Sequence, residues 1–538
     1  MMRLGPSAAA AVVAFAAAAP AHAQRTEISP YIEIGQVLSA DLNDGDVLTY
    51  SQLSAGVDAT VTTRRVQVNL NYQYQRFFEW EGDLGDSDAH SGLAQANVNL
   101  TRWLSLEAGG IATRARSDIR GGGLGLFNTS RDNVSQLYSV YGGPSIATRS
   151  GPFAITGSYR LGYTKAEVPD FLDLGAGQQR LDYYDDATSQ LAQASIGTRP
   201  GTVAPFGFTV SGAWAREDAG QLDQYFEGRF VRADAVQPVS RTLAVVAGVG
   251  YENIEVGQRD PLVGADGLPV LDDRGRFITD PASPPRLAYD IDGVIWDAGV
   301  VWRPSPRTVL EARIGERYGT MTYIGSLSWQ TGPGSGLQVG VYDAVTSFGR
   351  QLSGSLASLP TDFFSGGADP FGNRYTGCVF GGGTTPDGSV QPGGCLTPVF
   401  QSISTANFRA RGVDAVYSVT RGRTRLGVGA GYSNRRYFIP DVPGATIYRT
   451  ADESWYAQGF YQTALDERSG LTADIYGNYF TSGLAGASDA WGGGAQGSYY
   501  RSFGRAYGSL SGGLYTFDAE AQESDWIAQA LLAFGYRF

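Results

Sequence analysis

"VQVNLNYQYQ", Val66 to Gln75, alternates without a slip: Val66, Val68, Leu70, Tyr72 and Tyr74 stand against Gln67, Asn69, Asn71, Gln73 and Gln75. In an extended strand a period of two puts every apolar side chain on one face and every amide on the other. Two environments suit such a strand: a soluble sandwich, or the wall of a water-filled pore in lipid.

Composition favours the pore. The chain has 538 residues with 73 glycines, 12% aromatic and 17% charged residues, which is rich in glycine and poor in charge for a soluble enzyme and points to a large all-β body. The formal net charge of -12 argues against nucleic acid as a partner. Residues 1–23 read as an export signal, with Arg3 at the start, an apolar run from Ala8 to Ala19 and Ala21-His22-Ala23 as the cleavage site; 24–538 is then the mature chain. Beyond Ala23 no stretch approaches the roughly 20 apolar residues of a spanning helix.

The alternating unit returns along the whole chain. Leu53, Ala55, Val57, Ala59 and Val61 share one face, as do Ile155, Tyr159, Leu161 and Tyr163, and Leu426, Val428, Ala430 and Tyr432. About 22 such runs, within a range of 18 to 24, predict a single transmembrane antiparallel β-barrel. The breaks between runs are of two alternating kinds. One is short and carries arginine: Arg64-Arg65, Arg102, Arg149, Arg199, Arg241, Arg303 to Arg307, Arg421-Gly422-Arg423, Arg468 and Arg505. The other is longer and acidic, as at "DLNDGD" from Asp41, "EGDLGDSDAH" from Glu81 and the stretch Glu255 to Leu287. Short periplasmic turns and long extracellular loops are the outer-membrane arrangement. Trp80, Trp103, Trp214, Trp302, Trp329 and Trp455 near strand ends suit interfacial girdles.

The chain ends with Phe538, Tyr536, Phe534, Leu532, Ala530, Ala528 and Trp526 on one face, a pattern that resembles the sorting signal read by the barrel-assembly machinery of the bacterial outer membrane. With "YGNYF" at Tyr476 to Phe480 and "GYRF" at Gly535 to Phe538, the sequence resembles the outer-membrane β-barrel porins of proteobacteria, including barrels that accompany exopolysaccharide loci. That resemblance implies a channel or an export-associated barrel in the cell outer membrane, among outer-membrane lipid and lipopolysaccharide. Its cargo would be small hydrophilic solutes or polysaccharide. It does not fix the oligomeric state.

No enzyme, cofactor or metal site is expected. After the signal, His90 is the sole histidine and sits beside Asp86 and Asp88; no P-loop, HExxH or CxxC occurs, and Gly45 stands where a calcium loop needs an oxygen. Cys378 and Cys395 close a short Gly- and Pro-rich loop, and in an exported chain they are expected to form a disulfide. They lie in the longest break, 349–399, which is either a constriction or cap of the pore or a surface loop. The first run begins too near the cleavage site to leave room for an N-terminal plug.

With apolar residues facing lipid, the opposite faces give the expected pore lining: Asp58, Glu107, Arg160, Glu227, Arg229, Asp297, Glu311, Arg313, Arg317, Arg409, Arg411, Arg425 and Asp474, with Asp223 and Arg435 beside them. Arginines concentrate between Arg313 and Arg435, which predicts a basic wall facing a more acidic one. Inward pairs such as Glu311 and Arg313 would equally brace the wall. Tyr141, Tyr225, Tyr456, Tyr500, Tyr507 and Tyr515 are candidate sugar-stacking platforms.

Overall fold

The computed structural model describes residues 25–43, 45–81, 87–117, 134–167, 184–265, 267–272, 276–364, 370–371, 377–381, 392–401, 403–440, 451–483, 489–519 and 525–538. The expected signal, 1–23, lies outside these residues. Strands are numbered in chain order from β1 (Arg25–Asp41) to β25 (Asp525–Arg537), and 22 of them form one antiparallel sheet. Each pairs with the next ring strand in sequence, and β1 pairs with β25 from Tyr31↔Arg537 to Asp41↔Ile527. The sheet therefore closes on itself, and closure leaves no edge of unpaired amides, the condition for strands to cross lipid.

The outer face is what the alternation demands. On β11 (Leu243–Gln258) the outward residues are Leu243, Val245, Ala247, Val249 and Tyr251; on β12 (Arg286–Ser305) they are Trp302, Val300, Ala298, Trp296 and Val294. Each set covers the roughly 9–11 residues a tilted strand needs to cross a bilayer. These side chains are exposed because their solvent is lipid: Ile475 is 61% exposed and Phe534 59%. Trp80, Trp103, Trp302, Trp329 and Trp455 are exposed as well, as girdle residues should be. Trp526 to Phe538 lies on this outer face, with Phe534, Tyr536 and Phe538 in the open.

The two kinds of break segregate to the two ends of the cylinder. Turns 63–65, 151–152, 239–242, 306–307, 422–423, 465–468 and 504–505 share one end, with the arginines of the short breaks. Gly422 and Gly504 take positive φ of 61° and 77° there, the left-handed geometry a tight hairpin requires. The strand ends that flank 117–133, 168–185, 259–285 and 347–407 lie at the other end. Short links break the pattern at that end at Tyr318-Gly319 and at Gly220 to Gln224. Apolar belt, closed ring and segregated ends together make this an outer-membrane β-barrel.

Candidate functional site: a lumen crossed by its own loop

The described parts of the connection 347–407 turn into the barrel. Directly after β15 (Ser335–Thr346), Ser347 caps a helix α1, Phe348–Ser358, by accepting from the Arg350 amide. Phe348, Leu352 and Leu356 recur at four-residue spacing and are all fully buried. They pack with Leu93, Ile111, Leu137 and Tyr141 of the inner wall, across the lumen from where the connection began. Three short strands follow, β16 (Phe363–Phe364), β17 (Cys378–Gly381) and β18 (Gly393–Cys395), forming a small sheet of their own. The expected disulfide is present between Cys378 and Cys395, which pair directly across β17 and β18. It presses on the wall at Gly429, where any Cβ would collide with the Cys378 sulfur.

Neutral side chains hold the insert on several sides. Gln95 Nε2 donates to the Leu356 carbonyl at 2.7 Å, Asn69 Nδ2 to the Phe363 carbonyl at 2.6 Å, and the Cys378 amide donates to Gln458 Oε1 at 2.8 Å. Gln401 Nε2 donates to Ser454 Oγ and Asn407 Nδ2 to Gln224 Oε1. Phe380 packs on Phe460 and Phe371 on Tyr515. An ion pair also joins insert and wall: Arg350 to Glu217 at 3.5 Å, with the guanidinium 3.3 Å above the Phe226 ring. Burial pushes Arg350 down to about 10, so it stays charged at neutral pH.

The amides of Val66–Gln75 thus meet something other than open water. Asn71, Gln73 and Gln75 are buried, Asn71 donates to Asp58, and Asn69 holds the insert. The expectation of a small, polar inner face fails at Leu93, Ile111 and Leu137, which point inward because the helix covers them.

Of the expected lining residues, Asp58, Glu107, Arg160, Asp297, Glu311, Arg313, Arg317, Arg425 and Asp474 lie on the lumenal phase of their strands. Most face partners. Asp234 and Asp297 sit between Arg232 and Arg313, at 2.5 to 3.2 Å, and Arg313 also reaches Glu311 at 2.7 Å. Arg317 pairs with Glu252 at 2.7 Å, Arg435 forks onto Asp452 at 2.9 and 2.6 Å, and Arg160 lies 3.8 Å from Glu107. The expected basic wall is therefore largely neutralised within itself.

Four lining residues need correction. Glu227 and Arg229 share the phase of Val231, on the outer face, where Trp214 Nε1 donates to Glu227 at 3.1 Å. The strand there extends above the apolar belt, so outward residues need not be apolar and hydrophobicity picks the wrong phase. Arg409 and Arg411 take the phase of Val413, also outward. Asp223 belongs to the turn Gln221–Asp223, paired with Arg259, and Tyr225 faces out. The remaining tyrosines face inward, several flat over a glycine of the next strand: Tyr456 over Gly431, Tyr507 over Gly535, Tyr515 over Gly494. The contacts that matter most, Gln95, Gln458, Glu217 and Arg350, were not anticipated; the one available signal was leucine and isoleucine on a polar phase.

No known sequence family matches the chain, and no curated protein is similar to it in sequence. Among solved structures it is similar to the ferric-catecholate import receptor Fiu from E. coli K12 in its open form, with 11% identity, a TM-score of 0.42, and 94% of this chain and 81% of that one covered. It is also similar to the siderophore receptor PirA from Acinetobacter baumannii, with 7% identity, a TM-score of 0.40, and 95% and 80% covered. A third is the loop L8 deletion mutant of OmpT, an outer membrane protein of Vibrio cholerae, with 10% identity, a TM-score of 0.28, and 95% and 99% covered.

Proposed function

We propose that this barrel is a non-enzymatic outer-membrane channel for hydrophilic solutes, held closed at rest by its own segment Ser347–Asn407. A ring of 22 strands is wide enough to need an obstruction if the cell is not to leak. The observation that carries the reading is the manner of attachment: between its two strand ends the insert is held by scattered neutral hydrogen bonds and the Arg350–Glu217 pair, with no disulfide to the wall among the described residues. Each such bond contributes only about 1 kcal/mol net, so the insert can leave and return.

A second reading, passage of a polysaccharide strand, draws support from Tyr500 and Tyr507. Both face the periplasmic half of the lumen and are only half-buried, as a sugar-stacking surface would be. Liposome swelling with saccharides of graded size tests the proposal. Vesicles carrying a variant that lacks Asp362 to Leu396 should swell in mono- and disaccharides while the intact chain admits them slowly. A variant that excludes even monosaccharides would leave the barrel as a scaffold presenting its loops. Selective block by long glycans would favour the second reading.

A further inference from the structure

The ring is not closed by backbone at every junction. Between β4 (Ser87–Asn99) and β5 (Leu104–Arg116) the ladder stops at Gly92↔Ala112, and the Gln136 side chain bridges His90 and Thr113 beyond it. A second open stretch adjoins the insert. The ladder between β14 (Thr320–Gly332) and β15 runs only from Gly325↔Val341 to Gly332↔Ser335. Above it, Thr320–Ile324 pairs with β13 (Thr308–Arg317) alone, and Tyr342–Thr346 with β19 (Phe408–Arg421) alone. By contrast β1 and β2 (Val47–Thr62) stay paired from Arg25↔Thr62 to Ala40↔Val47.

Side chains stand in for the missing rungs. Arg411 Nη2 donates to the Met321 carbonyl at 3.3 Å and to Thr320 Oγ1 at 2.9 Å, and Arg409 Nη1 to Thr320 Oγ1 at 2.6 Å. Asp343 grips both arginines at 2.7 and 3.0 Å. Asp343, Arg409 and Arg411 all sit on the phase that elsewhere faces lipid. Val345, on the same phase, belongs to one buried cluster with Tyr318 and with Phe226, Ile254 and Val256 of the inner wall, so the top of β15 leans toward the lumen. On the lumenal side, the buried Thr322 hydroxyl has no hydrogen-bond partner among the described residues.

Backbone left unpaired at membrane depth persists only where protein buries it or where it lines a watery cavity. This junction is therefore a part of the wall that can be parted. It is also where the insert begins and ends, since Thr346 leads through Ser347 into α1 and Asn407 leads into β19. Withdrawal of the insert pulls on Asp343 from one side and on Arg409 from the other.

We infer that the β14–β15 junction is a lateral portal by which an anionic amphiphile, an acyl chain bearing a charged headgroup, passes between the lumen and the outer leaflet. Met321, Tyr323 and Val341 give an exposed apolar lip on the lipid side, with Tyr323 59% exposed. Arg411, with 44% of its side chain exposed, offers a guanidinium to the headgroup at that lip. The lumenal side presents the threonine hydroxyls.

The test is photo-crosslinking of the full chain in native outer membrane. A benzophenone amino acid replaces Ile324, on the lumenal phase beside the open stretch, or Ser328, on the same phase beside intact ladder, and adducts are identified by mass spectrometry. Severalfold more phospholipid or lipid A adduct at Ile324 than at Ser328 is the expected result. Thr322 serves as a second position should the Ile324 variant fold poorly. Lipid labelling at Ile324 and Thr322 no higher than at Ser328 overturns the portal. Because the readout is lipid contact, the portal can fail while solute conduction stands, and the reverse.

Discussion

Two sectors of the inner wall are built to opposite rules. From β10 (Tyr225–Pro238) to β13 the inward charges satisfy one another: Arg232, Asp234, Asp297, Arg313 and Glu311 form one network that makes no contact with the insert among the described residues. From β3 (Val66–Glu81) to β7 (Phe153–Glu167), and again on β21 (Ala451–Ala464), the inward side chains that meet the insert are mainly amide, hydroxyl and apolar. Charge braces the wall, whereas mainly neutral contacts hold the insert, the part that the proposed channel requires to move. A charge left unpaired in low dielectric is expensive, but a neutral bond to the insert exchanges for a bond to water at small net cost.

This contrast can be broken first in the braced sector. Asp297→Asn leaves Arg232 and Arg313 short of an anion and should lower barrel stability by about 3 kcal/mol, read as earlier unfolding in denaturant titrations of the micelle-embedded protein. Loss of the insert alone, with unchanged barrel unfolding, would show that the network serves the insert after all. Next comes the clamp. Cys378→Ser with Cys395→Ser frees a loop of 17-residue separation and should loosen the insert by about 3 kcal/mol, seen as faster proteolysis within 378–395 at unaltered barrel stability.

Smaller effects sharpen the same line. Gln95→Ala removes the donor to the Leu356 carbonyl and should weaken the closed state by about 1 to 2 kcal/mol, a roughly tenfold rise in open probability. No change there would mean that the helix rests on its apolar face alone. At the bottom of the scale, Arg229→Gln cuts an exposed pair with Glu227 and should shift stability by less than about 1 kcal/mol and leave ion selectivity untouched. A selectivity change would place Arg229 in the lumen and undo the correction made to its face.

How far the sequence was legible follows the same division. Lipid imposes one rule on the outer face, so Leu243 to Tyr251 and Trp526 to Phe538 could be phased by alternation, and about 22 strands counted where there are 22. Above the belt that rule lapses, which is why Glu227 and Arg229 were assigned to the wrong side. Arg409 and Arg411 misled for another reason: they sit on the lipid phase but are drawn into an open seam by Asp343. The insert was hardest to read, because α1 is short and the cysteines stand among glycines and prolines; only their spacing marked the region. Leu93, Ile111 and Leu137 held the information, as apolar residues on a phase that an open pore would leave polar.

Single-channel conductance in a planar bilayer, comparing the full chain with a variant lacking Asp362 to Leu396, addresses closure by the insert directly. The account predicts brief, infrequent openings for the full chain and a large, steady conductance for the variant. Equal, steady conductance of the two forms would contradict it, since the insert would then cross the lumen without closing it.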